Sequence, residues 1–418
     1  MQWMPNRMAG NGQGNSKLKR GILAGISTNV LVLGVVSLLT DMSSEMIYPI
    51  MPLFLSFIGA SGLVIGLIEG ASETTASLLK VVSGWYSDKW DRRKPFIVSG
   101  YSLSSLIKPA LIWATVPFHV LGIKIAERVG KGIRSAPRDA LIADSTPQDV
   151  RGKAFGFHKA MDSLGAVIGP IITLAIILTV ALSELGTYRL IFTIAVIPAF
   201  VAVAVIVLFV REKEAVAKRF TRTFKRGLTE LSRPFWRLMA VVLIFYIGEI
   251  SYVFFILKAQ VVDKNLVMII GLYVLYNVLF VLVSIPAGNL SDRLGRRPVI
   301  LVAFGLFALT CLIMATATSL IFLSFGFALF GVYKGASEGV LKAYVTDIVP
   351  SDLRGTALGT FHTAVGLVML PGGIIAGLLW DQWGASATFA YGAVTALAAM
   401  ALLFFVRGGD GPTLTQQA

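Results

Sequence analysis

The feature that most constrains this chain is an internal repeat. Glu45 and Tyr48 return as Glu249 and Tyr252, 204 positions later, and Lys131 returns as Lys334 after 203. Glycine and charged residues at the connections repeat with the same offsets: Gly84, Asp88, Arg92, Arg93, Asp144 and Arg151 return as Gly288, Asp292, Arg296, Arg297, Asp347 and Arg354. Since nearly one offset holds across separate segments, the chain is predicted to contain two copies of one unit in the same orientation.

Each copy is rich in apolar runs. Of the 418 residues, 56% are hydrophobic and only 14% are charged, and about 20 apolar residues suffice for one bilayer crossing. Helices are predicted at 27–57, 62–86, 95–116, 118–143, 153–182, 187–210, 235–260, 264–290, 297–316, 319–347, 355–381 and 385–406. The predicted fold is an all-α membrane protein with twelve transmembrane helices in two six-helix bundles related by a pseudo-two-fold axis.

The distribution of basic residues predicts the orientation and the domain boundaries. Lys and Arg collect in alternate connections, which the positive-inside rule assigns to the cytoplasm, so both termini are expected there and the protein in the plasma membrane. The predicted parts are a cytoplasmic tail (1–26), a first bundle (27–210), a basic linker (211–236), a second bundle (237–406) and a cytoplasmic tail (407–418). The apolar residues of the linker have helical spacing, which favours an amphipathic helix on the anionic leaflet.

Several function classes are excluded by this composition. Twelve crossings leave no room for a soluble catalytic domain, and the chain has no GxxxxGK[ST] phosphate loop, so neither an enzyme nor an ATP-driven pump is expected. The excess of 37 Lys and Arg over 23 Asp and Glu is explained by basic cytoplasmic loops, so the bilayer and not nucleic acid is the expected partner. Cys311 is the single cysteine, and neither a metal cofactor nor any other cofactor is predicted.

Charged residues inside the predicted helices are the candidate functional residues, because a charge in hydrocarbon costs at least about 2.5–3.5 kcal/mol and must face a cavity or a partner. Shielded carboxylates that lie near one another can gain and lose protons near neutral pH. Asp41, Glu45 and Glu73 are the predicted proton carriers, with Arg128 as the cation that tunes them. The alternative is static ion pairing, for example of Glu73 with Lys108 or of Asp41 with Arg128.

A substrate cavity is expected between the bundles near the bilayer centre. Its predicted residues are Tyr48, Lys108, Lys131, Arg134, Glu249, Tyr252, Lys334 and Glu338. Asp162 is expected nearer the cytoplasmic rim. Since the cations among these residues suit a carboxylate or phosphate, the cavity favours a polar substrate of narrow chemical range over broad drug recognition.

The repeated loops Gly84 to Lys94 and Gly288 to Pro298 resemble the signature loop of the major facilitator superfamily, and the resemblance covers essentially the whole chain. It implies alternating access by a protein that is monomeric by default. It also implies that the repeated residues at the basic connections form a cytoplasmic gate, namely Gly84, Asp88, Arg92, Arg93, Asp144, Arg151, Gly288, Asp292, Arg296, Arg297, Asp347 and Arg354. Arg128, Lys131 and Gly132 in helix 4 are similar to the motif of proton-driven members. Gly156, Gly165, Gly169 and Pro170 in helix 5 resemble the motif of antiporters that export drugs.

These features lead to one function hypothesis and several alternatives. The first is proton-coupled export of a small organic compound by antiport. The second is proton-coupled uptake of an anionic or zwitterionic metabolite by symport. Divalent metal transport is a third, because Met42, Met46 and Met51 accompany the carboxylates of helix 1. A channel, or a sensor that has lost transport, remains a rival from another class.

Overall fold

The computed structural model describes residues 26–90, 92–147, 150–212, 229–350 and 353–405, apart from the side chain of Asp88. Most of the predicted N-terminal tail (1–26), the central part of the basic linker (211–236) with its amphipathic helix, and the C-terminal tail (407–418) lie outside these ranges. The predictions for those segments therefore stay predictions.

The described residues fold into helices joined by short connections. The first half contains α1 (Thr28–Ile47), α2 (Met51–Phe57), α3 (Gly62–Lys89), α4 (Lys94–Ile107) with a 3-10 segment (Lys108–Trp113), α5 (Pro117–Asp144), α6 (Arg151–Thr179) and α7 (Glu184–Phe209). The second half contains α8 (Arg233–Ile247), α9 (Tyr252–Val262), α10 (Leu266–Leu294), α11 (Arg296–Thr316), α12 (Leu320–Asp347) and α13 (Arg354–Phe405).

Within the described ranges, nine helical segments are long and apolar enough to cross a membrane. The helices α3 and α5 have sufficient length, 28 residues each, but they carry the central charges. The helix α13 has 52 residues and contains two helices that join at Gly384, whose φ of 80° only glycine adopts readily. With these additions, the described ranges contain the twelve crossings that the sequence predicts.

The first crossing of each half is interrupted, which corrects the prediction of continuous helices at 27–57 and 235–260. Pro49 and Pro52 separate α1 from α2, because proline has no N–H to donate within a helix. Gly248 ends α8, and the Ser251 side chain accepts a hydrogen bond from the Val253 N–H at the start of α9. Both breaks interrupt the first crossing of their half, and the second lies about one helical turn earlier in the repeat than the first. Interrupted helices at this place in both halves are typical of binding sites in membrane proteins built from repeats.

Three helix pairs join the halves among the described residues: α3 with α13, α6 with α10 and, less extensively, α2 with α9. Glycines permit the close contact between α3 and α13: a Cβ atom on Gly66 would lie 2.0 Å from the carbonyl oxygen of Gly373, and one on Gly377 would lie 2.3 Å from that of Gly62. Such small residues let helix backbones approach in a bilayer. At the end with the basic loops, hereafter the basic end, Gly359 has no neighbour this close. The two helices therefore approach most closely towards the opposite end.

Candidate functional site

A cavity of about 450 Å³ lies between the two halves. It extends from Tyr48 and Tyr252, next to the two helix breaks, towards the basic end. Its charged and aromatic lining residues are Asp41, Glu45, Tyr48, Glu69, Glu73, Lys80, Tyr101, Arg128, Lys131, Arg134, Arg138, Lys159, Asp162, Tyr252, Tyr273, Tyr276, Phe280 and Glu338. Five of the eight predicted cavity residues line it, namely Tyr48, Lys131, Arg134, Tyr252 and Glu338.

Two predicted proton carriers, Asp41 and Glu45, stand on one face of α1 because they are four residues apart. The Asp41 carboxyl lies within hydrogen-bonding reach of Asp162 on α6, and Asp162 lines the same cavity, next to a residue that was predicted nearer the bilayer centre. Asp162 also accepts hydrogen bonds from Ser37 at 3.0 Å and from Lys159 at 2.8 Å. Two carboxyl groups therefore face each other across α1 and α6.

Glu45 is joined to the second half. The hydroxyl of Tyr273 on α10 donates to its Oε2 at 2.8 Å. Near the helix breaks, Ser251 donates to Glu69 at 3.3 Å. Both contacts cross between the halves, so relative movement of the halves must change them.

Glu73 and Arg128 form an ion pair across α3 and α5, with 2.7 Å between Oε1 and Nη2. The Arg128 side chain is only 4% exposed, and its guanidinium lies 5.7 Å from the centre of the Tyr48 ring. Breaking a buried pair of this kind leaves an uncompensated charge. Glu73 is therefore paired with Arg128. The two alternative ion pairs, Glu73 with Lys108 and Asp41 with Arg128, do not form among the described side chains.

Lys108 does not line the cavity, contrary to the prediction. It is buried where α4 ends, donates to Ser43 at 2.7 Å and to Ser44 at 2.9 Å, and lies 3.7 Å from Glu127. These contacts join it to α1 and α5. Its hydrogen bonds fit a structural cation that holds three helices together.

The corresponding charges of the second half are also withdrawn from the cavity. Glu249 pairs with Lys334 at 2.5 Å and accepts a hydrogen bond from Tyr333 at 2.6 Å. Glu249 borders a separate, smaller pocket, so the prediction that Glu249 and Lys334 line the main cavity is wrong in this conformation. Glu338 does line the cavity and pairs with Lys342 at 2.9 Å.

The remaining predicted cations differ in their surroundings. Arg134 is buried, donates to Ser104 at 2.6 Å and lies over the Tyr101 ring at 4.2 Å. Lys131 is exposed to the cavity. Its side chain has neither a hydrogen bond nor an ion pair with any residue that the structure describes.

At the end opposite the basic loops, Asp381 of α13 closes the space between the halves. Its carboxylate accepts hydrogen bonds from the backbone N–H groups of Gly62 at 2.7 Å and Leu63 at 2.9 Å. A carboxylate at a helix N-terminus satisfies free donors and complements the helix dipole. Sequence reasoning missed Asp381, because its partners lie more than 300 positions away.

The predicted gate residues at the basic end contact residues of their own half among the described side chains. In the first half, Arg93 lies 3.6 Å from Asp144 and donates to Ser87 at 2.8 Å, while Arg151 donates to the Thr146 carbonyl at 3.4 Å. Arg92 is exposed, and Gly84 approaches Ala136 of α5. Whether these residues act as a gate stays a prediction.

The second half repeats this arrangement. Arg296 contacts Asp292 and lies 3.0 Å from Asp347, and Arg354 donates to the Thr346 carbonyl at 3.2 Å. Arg297 differs from its counterpart Arg93, since it donates to the carbonyls of Leu403 and Phe404 at the end of α13. A Cβ atom on Gly288 would meet no neighbour within 4 Å.

The glycines of α6 touch α1 beside the carboxylates. A Cβ atom on Gly165 would lie 2.5 Å from the Leu38 carbonyl oxygen and 3.1 Å from the Asp41 Cβ, and one on Gly169 would lie 2.8 Å from the Glu45 Cβ. Pro170 lies inside the same helix, whereas Gly156, two turns nearer the basic end, has no such neighbour. Two of the glycines therefore let α6 pack directly on the backbone that carries Asp41 and Glu45.

Comparison with known proteins identifies the family. The sequence model of the Major Facilitator Superfamily matches residues 33–275 and 262–417. The chain belongs to this superfamily. An uncharacterized transporter of the superfamily from Methanocaldococcus jannaschii is 38% identical over 387 residues, which cover 91% of this chain and 95% of the relative.

Other similar proteins share less of the sequence. A multi-drug resistance efflux pump of Streptococcus pneumoniae, PmrA, is 25% identical, and the match covers 75% of this chain and 79% of the pump. The crystal structure of the nucleoside transporter NupG has a TM-score of 0.71 at 14% identity, and the match covers 91% of this chain and 98% of that one. The predicted fold is confirmed. The prediction that the chain is an integral membrane transporter of small molecules is confirmed as well. The orientation of the termini, the domain boundaries and the monomeric state stay predictions.

The methionines of helix 1 lie away from a metal-binding arrangement. Met46 and Met51 are buried in the hydrophobic core, at 1% and 3% exposure. In the described part of the chain, no group of three or more His, Cys, Asp or Glu side chains could hold a metal ion. The hypothesis of divalent metal transport therefore gains no support from this site.

Proposed function

We propose that this superfamily member exports a small, polar organic solute in exchange for protons. The observation that carries the proposal is the packing of Gly165 and Gly169 against α1, next to Asp41 and Glu45. The residues that resemble an antiporter motif thereby fix the position of the carboxyl groups best suited to carry protons. The motif-like glycines of α6 and the carboxyl groups of α1, which are independent features of the sequence, are thus in direct contact.

The carboxyl groups have the surroundings that proton exchange requires. Asp41, Glu45 and Asp162 all line the cavity, and neither Asp41 nor Glu45 has a cation within ion-pair distance among the described side chains. Two carboxyl groups within hydrogen-bonding reach of each other are most stable when they share a proton. A group in this position can take a proton from water on one side and release it on the other.

Movement of the two halves relative to each other would couple proton exchange at Glu45 to transport of the solute. The Tyr273–Glu45 hydrogen bond joins the halves, so a change between inward-open and outward-open states breaks or remakes it. If the basic end is cytoplasmic, as the positive-inside rule favours, the cavity faces the cytoplasm in this conformation. A solute would then enter from the cell while Glu45 is held by Tyr273.

The second candidate is proton-coupled uptake of an anion, and it is favoured by the exposed ammonium of Lys131 in the cavity. Here an anion and a proton would bind in the same conformation and travel together. The relatives do not decide the direction, although the similarity to an efflux pump supports export.

Reconstituted vesicles with a pH-sensitive dye inside test both candidates. A panel of amphiphilic drugs and organic anions is added outside, and Asp41→Asn and Glu45→Gln are compared with the wild type. Glu184→Gln is the matched control, because Glu184 accepts a hydrogen bond from Tyr188 at 2.7 Å outside the cavity.

Export by antiport predicts that a compound drives protons out of the lumen and that the two cavity variants lose this response while Glu184→Gln keeps it. Proton entry together with an anion would replace export by uptake. A full response in both cavity variants would show that protons are carried elsewhere.

A further inference from the structure

The two halves hold the same acid and base in different arrangements. In the second half, Glu249 and Lys334 form a close ion pair. Their counterparts, Glu45 and Lys131, occupy the corresponding positions of the repeat, but the Lys131 side chain forms no ion pair with any described residue. The acid and the base therefore form an ion pair in the second half but not in the first.

Lys131 stays unpaired within the described part of the chain although carboxylates surround it. Its electrostatic neighbours include Asp41, Glu45 and Glu73. Each of these acids is held by another partner: Asp41 by Asp162, Glu45 by Tyr273 and Glu73 by Arg128. The fold thus keeps a cation free in a cavity where leaving a charge unpaired is costly.

We propose that the Lys131 ammonium binds the acidic group of the transported solute, so that the substrate is a small organic anion. This inference rests on the proposed transport function and names its substrate class. A compact ammonium attracts a carboxylate or a phosphate strongly where water is limited. The tyrosine rings of Tyr252 and Tyr276 line the same cavity and offer apolar surface to the organic part of the solute.

Tyr273 keeps the Lys131 ammonium available to the substrate. By donating to Glu45 from the other half, it holds that carboxylate away from Lys131. The tyrosine that contacts Glu249 acts differently, because Tyr333 donates to the same Oε1 that pairs with Lys334 and leaves that pair closed. Removal of the Tyr273 hydroxyl should let Glu45 pair with Lys131 and compete with the substrate. Removal of the Glu45 charge in addition should restore binding.

Lys80 also lines the cavity and forms no ion pair among the described side chains. It lies seven residues beyond Glu73 on α3, about two helical turns nearer the basic end. Comparison of Lys80→Gln with Lys131→Gln therefore separates a specific site from a general attraction of anions by positive charge.

The experiment measures ligand binding to the purified protein by the shift in its unfolding temperature. The probes are acetate, benzoate and phenyl phosphate, each compared with a neutral counterpart: acetamide, benzamide and phenol. Lys264→Gln is the control for charge removal, because Lys264 is exposed in the connection between α9 and α10, outside the cavity. Tyr188→Phe is the control for loss of a Tyr–Glu hydrogen bond.

We expect at least one anion to bind more tightly than its neutral counterpart. Lys131→Gln should weaken that anion about tenfold or more, as expected for loss of a charge-assisted hydrogen bond, and both controls should leave it unchanged. Tyr273→Phe should also weaken it, and Tyr273→Phe with Glu45→Gln should recover it. No preference for anions in the wild type, an equal loss in Lys80→Gln, or unchanged binding in Lys131→Gln would overturn the proposal.

The vesicle assay separates this inference from the proposed function. If the wild type moves protons with a neutral or cationic compound and Lys131→Gln does so equally well, the anion site is wrong and proton-coupled transport stands. If anions bind through Lys131 but no compound moves protons, the anion site stands and the proposed coupling fails.

Discussion

Replacement of Asp381 by asparagine should shift the protein from the described conformation towards one that is open at the opposite end. The Asp381 carboxylate accepts two backbone hydrogen bonds, from Gly62 and Leu63 at the start of α3. These bonds join the halves, so they stabilise only conformations in which this end is closed. Asparagine keeps one acceptor oxygen but loses the negative charge.

The size of the shift follows from these two bonds. One charge-assisted hydrogen bond is worth about 1.5–3 kcal/mol and a charge at an exposed helix N-terminus about 0.3–1 kcal/mol. Since Asp381 is exposed, solvent reduces both values, and a loss of about 1–2 kcal/mol is expected. This corresponds to a change of roughly 5- to 30-fold in the ratio of the two conformations.

Distance measurements between spin labels test this value. Labels at Val116→Cys and Val261→Cys lie on different halves at exposed positions near this end, and the buried Cys311 is replaced by serine in every sample. Asp381→Asn should enrich the longer distances. Asp263→Asn is the control, because Asp263 accepts a hydrogen bond from Asn265 within one half. An unchanged distance distribution, or an equal change in the control, would refute the role of Asp381.

Two further predictions concern the packing and the charges. Gly66→Ala should separate α3 from α13 and lower the unfolding temperature, because the new Cβ would lie 2.0 Å from the Gly373 carbonyl oxygen. The control Gly122→Ala, whose Cβ would have no neighbour within 4 Å, should not lower the unfolding temperature. Equal unfolding temperatures of the two variants would contradict the close contact. Arg128→Gln should lower the free energy of unfolding by less than about 3–5 kcal/mol, the value for a fully uncompensated buried charge, because the unpaired ammonium of Lys131 is an electrostatic neighbour of Glu73. Adding Glu73→Gln should recover part of the loss in chemical unfolding, and a double variant no more stable than the single one would show that the pair is not coupled.

The sequence predicted the carboxylates better than their partners. Asp41 and Glu45 were placed on one helix face from their spacing alone, and both line the cavity. Lys108 was placed there too, because a count of residues gives its depth but not its direction. The structure turns it towards Ser43, Ser44 and Glu127, since the chain leaves regular α-helix geometry at this residue.

Asp162 illustrates the same limit. Its position near the start of α6 suggested the rim, yet the close packing of α6 on α1 brings it to Asp41. Asp381 had no signal in its own segment, because its role depends on the N-terminus of a helix in the other half.

The sequence by itself determined the number of crossings, the repeat and the position of Asp41 and Glu45 on one helix face. Those properties depend on local composition and on spacing along a helix. The tertiary structure decided which charges are paired and which stay free among the described residues, because pairing depends on the rotation and the separation of helices distant in sequence. Glu249 with Lys334 and Glu45 with Lys131 are the same residue types at repeated positions, and the hydrogen bond from Tyr273 of the other half to Glu45 distinguishes them.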